Sequence, residues 1–107
     1  MVTTGPEVAG HRTVTTLGQV FGVVVRSRGL AGNVIAGLRA IGGGEIREFT
    51  EMLEDSRRQA IDRMVENAAR MGANAVTTMR FDSSEIGQTM AEVVAYGTAV
   101  IIEPVNT

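Results

Sequence analysis

The sequence predicts an α+β domain, a mainly antiparallel sheet packed on helices, with elements in the order β-β-α-α-β-β. Three observations carry that expectation. Residues 19–28 hold Val20, Phe21, Val23, Val24 and Val25, a β-branched run that packs better on a pleated sheet than along a helix. Residues 45–71 repeat apolar side chains at helical spacing with charges opposite. Residues 88–102 are strand-forming almost without interruption.

A chain of 107 residues fits one domain, taken here as 1–107, with residues 1–12 as a leading arm in which Pro6 favours extended or turn geometry. A short strand is possible over 12–17, before Gly18. The strand of residues 19–28 ends at Ser27, Arg28 and Gly29. From Leu30 to Ile41, apolar residues at spacings of three and four (Leu30, Val34, Leu38, Ile41) predict a helix. Gly32 and Gly37 weaken it by roughly 1 kcal/mol each. Gly42, Gly43 and Gly44 then form a joint; a phosphate loop would need a following Lys and Ser/Thr that are missing.

The long helix of residues 45–71 buries Met52, Ala60, Ile61, Met64 and Ala68 on one stripe, with Ser56 inside it, and stops at Gly72. Its outer face offers attractive pairs four apart, among them Glu54 with Arg58. Unbroken, it would run about 40 Å at 1.5 Å per residue, longer than a small globule is wide. In residues 74–82, Ala75, Thr77, Met79 and Phe81 alternate onto one inner face, and residues 82–87 read as a turn. The last strand, 88–102, is apolar on both sides: Ala91, Val93, Ala95 and Ala99 on one, Val94, Tyr96 and Val100 on the other. A sheet covered by helices on one face usually leaves the other polar, so a second copy of the chain is expected to cover it.

Ten basic against twelve acidic residues leave a formal charge of -2, which gives a phosphate backbone no net attraction. Nucleic acid is not expected as a partner. The chain has no cysteine, which removes disulfides and thiolate metal sites and favours a cytoplasmic home. No export signal is read at the start, and no stretch is long and apolar enough to span a bilayer.

The chemistry-bearing residues are few. Asp82 and Glu85, with Ser83 and Ser84 between them, place two carboxylates in a short segment that lacks the ligand spacing and glycine of a calcium loop. Glu92 is a charge in an apolar strand, at an edge or rim position where its carboxylate stays wet or pairs with Arg80 of the neighbouring strand. Asp82, Glu85 and Glu92 are therefore the candidate ligand-binding residues, and the bland reading of each is a turn or rim position. No serine sits in a nucleophile-elbow pattern, so no catalytic residue is assigned, no cofactor is named, and an enzyme is left open.

Gly43 and Gly44, the helix with Phe49 and Leu53, the stretch Met71, Gly72, Ala73, Asn74, Ala75, Val76, and the closing Gly97, Thr98, Ala99, Val100 together resemble the YbjQ family, also called UPF0145 or DUF74. The resemblance spans nearly the whole chain. It implies a β-β-α-α-β-β subunit in a YbjQ-like, dodecin-like ring oligomer, a homopentamer closed through its sheets, and it carries a heavy-metal-binding label. His11 is the one imidazole, so no metal site is expected within one chain, and any ion would sit between subunits on oxygen ligands. The function expected is an oligomeric small-molecule or ion-binding module with no assignable reaction. The alternative is a structural or protein-interaction scaffold.

Overall fold

A computed structural model of the chain describes residues 1–27, 47–86 and 90–105. Strand β1 runs His11–Ser27, helix α1 Arg47–Arg70, β2 Ala75–Ile86 and β3 Met90–Pro104. The sheet order is β1-β3-β2, with both pairings antiparallel. β3 is therefore central, with both of its edges paired.

The helix forms because its stripe has something to bury. Ala60, Met64 and Ala68 pack against Val20 and Val24 of β1, Val76 and Met79 of β2, and Ala95 and Ala99 of β3. Each fully buried Val or Met contributes about 1.5–3 kcal/mol. Ser56 tolerates the dry stripe because its hydroxyl donates to the Met52 carbonyl one turn back, at 2.9 Å. The helix ends in a Schellman turn: Gly72 takes φ 92°, its N–H donates to Ala69 O, and Ala73 N–H donates to Ala68 O.

Among the described residues, the other sheet face is covered at one end only. Val8, from the leading arm, is buried with Ala75, Val100 and Ile102. Just before it, the arm runs parallel to β2: Val76 N–H donates to Met1 O at 2.9 Å, Thr3 N–H to Val76 O at 3.0 Å, and Thr78 N–H to Gly5 O at 2.9 Å. The free edge of β1 is capped from the helix, where Asn67 Nδ2 donates to Phe21 O at 2.8 Å and Arg63 to Val23 O. Such caps remove the acceptors that a sticky edge would offer.

These facts correct the fold expected from the sequence. The first two strands are one continuous β1, because Gly18 takes φ 126° at an irregularity in the pairing with β3 and does not break it. The helix expected over 30–41 lies outside the described residues, so among those residues a single helix packs on the sheet, in place of β-β-α-α-β-β. The dodecin-like, YbjQ-like ring is corrected with it. A ring closed through sheet edges needs open edges, yet β1 is capped at Phe21 and Val23, and the outer edge of β2 is occupied by the arm along Val76 to Met79. Residues 82–86, read as turn, continue β2. The alternation expected in β2 also slips. Thr78 takes φ 54° where the register shifts between Thr77 and Arg80, so Val76 joins Met79 on the helix side while Ala75 faces Val8.

Candidate functional site

Register decides where the candidate carboxylates go. Asp82 lies opposite Val94, and Glu92 lies opposite Ser84 on one side and Val25 on the other. Asp82 and Glu92 therefore share the sheet face turned away from α1, as diagonal neighbours about 7–8 Å apart. Asp82 is exposed, and its Oδ1 accepts the Ser83 N–H at 2.9 Å; Glu92 is half-buried. Glu85 pairs with Ala91, one position out of phase, which sets it on the helix side, away from the other two.

His11 opens β1 opposite Pro104, at the far end of the sheet from all three, and its Nδ1 lies 2.9 Å from Ala9 O. Arg80 does not pair with Glu92. It sits opposite Tyr96, and its guanidinium donates to Thr4 O at 2.7 Å and Met79 O at 2.8 Å, tying the arm to β2. The bulge at Thr77 to Arg80 sets that registration. Among the described residues, no group of three or more His, Asp or Glu is placed to hold a metal ion. Among them, too, no helix is long and apolar enough to cross a membrane.

Two surfaces stand out that the candidate residues do not define. The first is the bare part of the outer sheet face, where Phe21 faces Tyr96 and Val23 faces Val94 across β1 and β3. Phe21 is 56% exposed and Tyr96 41%, unusual for two rings at the centre of a strand pair. The alternation of residues 19–28 held this signal: Val20, Gly22 and Val24 take the helix side, so Phe21, Val23 and Val25 take the other.

The second is a cleft of about 200 Å³ between α1 and β2, lined by Leu53, Arg57, Phe81, Asp82, Ser83 and Val93. Phe81 and Ser83 reach it from β2, and the Arg57 guanidinium lies over the Phe81 ring, 5.2 Å from its centroid. The spacing of Leu53 and Arg57, four apart on the helix, was the signal available in the sequence.

Comparison with known proteins places these features in a family. The YbjQ family model, described as "Putative heavy-metal-binding", matches residues 1–103. The chain is 66% identical over 104 residues to a UPF0145 protein of Bradyrhizobium sp. (strain ORS 278), covering 97% of this chain and 94% of that one. It is 55% identical over 104 residues to a UPF0145 protein of Methanoregula boonei, covering 97% and 87%. Among solved structures, a protein of unknown function from the DUF74 family of Pediococcus pentosaceus shares the fold with a TM-score of 0.64 at 15% identity, over 96% of this chain and 97% of that one. With a family model spanning nearly its whole length and relatives more than half identical over 97% of it, the chain belongs to the YbjQ family of UPF0145 proteins.

Proposed function

We propose that the protein is a binding module that works by setting the bare outer face of its sheet against a second copy of the chain. The observation that carries this reading is the exposed Phe21–Tyr96 pair, continued by Val23–Val94. The same face is closed at its other end by Val8, so burial there has been arranged within the chain, while the aromatic end is left open. A second copy presents an identical strip and needs no further partner. Aromatic residues also concentrate at the centres of protein interfaces.

Asp82 and Glu92 flank this strip, so polar recognition of a small ligand or divalent ion along the seam falls to them, with Glu85 on the opposite face taking no part. The cysteine-free composition supports a cytoplasmic home.

Light scattering across a concentration series tests the proposal. The native protein is expected to exceed the 11.3 kDa of one chain, and Phe21→Ser with Tyr96→Ser to return it to that mass with its circular dichroism intact. A native protein that stays at one-chain mass at every concentration would falsify it, as would an assembly that the double substitution leaves unchanged.

A further inference from the structure

We infer that the cleft between α1 and β2 is a binding site for a small monocarboxylate with a flat apolar body, held by Arg57. The inference is independent of the sheet-face proposal, because Phe81, Ser83 and Val93 lie on the opposite side of the sheet from Phe21 and Tyr96.

The argument starts from arginine. Among the described residues six arginines have a hydrogen-bond or ion-pair partner: Arg12 with Glu103, Arg26 with Asp55, Arg58 with Glu54, and Arg63, Arg70 and Arg80 with carbonyl oxygens. Arg57 has neither, and its contact is with the face of Phe81. A guanidinium stacked on a ring gains about 0.5–1 kcal/mol at an exposed site and keeps its N–H fork free. That fork is the group that takes a carboxylate through two parallel hydrogen bonds.

The rest of the cleft selects the body of the ligand. Leu53, Phe81 and Val93 supply apolar walls, and Leu53 is 43% exposed beside them. Ser83 stands opposite Val93 on the same sheet face and adds a hydroxyl. Asp82 belongs to the other face by register, and its Oδ1 accepts the Ser83 N–H. A hollow of roughly 150 Å³ accepts benzene. At about 200 Å³, this one takes a single ring bearing a carboxylate, and little more.

The charge limit follows from the neighbours. Glu54 bounds the adjoining hollow along the helix, which it shares with Thr50, Leu53 and Arg57, and Asp55 is next in sequence. One cation between acidic neighbours favours a singly charged ligand and disfavours a phosphate dianion.

The test is an amide NMR titration of the full chain with benzoate, benzyl alcohol and inorganic phosphate, run on the native protein, Arg57→Gln and Arg58→Gln. Benzoate is expected to give saturable millimolar shifts at Leu53, Arg57, Phe81, Ser83 and Val93, unchanged in Arg58→Gln. Binding should weaken at least tenfold for benzyl alcohol, for phosphate, and for benzoate on Arg57→Gln. Arg57 is exposed, so its substitution should leave the fold and the rest of the spectrum in place. The inference is overturned if benzoate gives no saturable shift in the cleft, if Arg57→Gln binds it as the native protein does, or if phosphate binds as tightly.

Discussion

Gly22 of β1 lies directly against Ala60 of α1, so near that a β-carbon on Gly22 would fall on the Ala60 carbonyl oxygen and within 2.9 Å of the Arg63 β-carbon. The helix can reach the sheet at that point only because the side chain is missing. Gly22→Ala should therefore lower stability by about 3 kcal/mol, the upper end of the cost of overpacking, because helix backbone must move. Gly5→Ala, which meets nothing nearer than 3.7 Å, should change it by less than about 0.5 kcal/mol. Urea unfolding of both variants checks the contrast; equal midpoints would show that α1 does not ride so close.

Thr78 holds φ 54°, a conformation costly for a β-branched residue, and it does so while its N–H serves Gly5 of the arm. Thr78→Asn, which tolerates that region, is expected to raise stability by about 1 kcal/mol. Thermal unfolding should register it as a higher midpoint. A lower midpoint would mean that the threonine side chain contributes more than its backbone strain costs.

Asn67 and Arg63 cap the carbonyls of Phe21 and Val23. Replacing both with Ala should cost about 1 kcal/mol per bond and, more tellingly, should expose the β1 edge to other chains. Turbidity on concentrated storage should rise for this double variant and stay at the native level for Arg58→Ala, whose pairing with Glu54 is a 3.6 Å surface contact.

How far the sequence disclosed this arrangement depends on which residues carry the signal. The helical stripe through Ala60, Met64 and Ala68 was legible because period alone reveals a buried helix face. The two-sided apolarity of β3 was legible too: Ala95 and Ala99 pack under α1, while the other face is buried at Val100 and Ile102 and exposed at Tyr96. Gly18 misled, since a glycine that ends a strand and one that kinks it within a continuous pairing look alike in sequence. So did Asp82 and Ser83, turn-forming types that here continue an edge strand. The slip at Thr78 was invisible, and with it the separation of Arg80 from Glu92. The Arg57–Phe81 stack joins residues far apart in the chain, for which no local pattern exists.

Metal retention gives a further check. With His11 remote from Asp82, Glu85 and Glu92, and Glu85 on a different face from the other two, these four cannot converge on one ion within a chain. Elemental analysis of extensively dialysed, untagged protein should find zinc and copper well below one per chain, and His11→Ala should leave the result unchanged. Stoichiometric zinc lost with that substitution would make the start of β1 a ligand-bearing segment.

The pairing of β1 with β3 also governs the order of events as the chain is made. Ser27 finds its partner in Met90 and His11 in Pro104, so β1 has no neighbour in the sheet until the final strand has been synthesised. Throughout that interval the run from Val20 to Val25 lacks its strand partner, and until residues 47–70 are made it also lacks the helix α1 against which Val20 and Val24 are buried. Contacts of such long sequence separation slow folding, because loop closure must precede any gain from pairing. Nascent chains of this protein therefore expose the β1 segment early and complete its burial last.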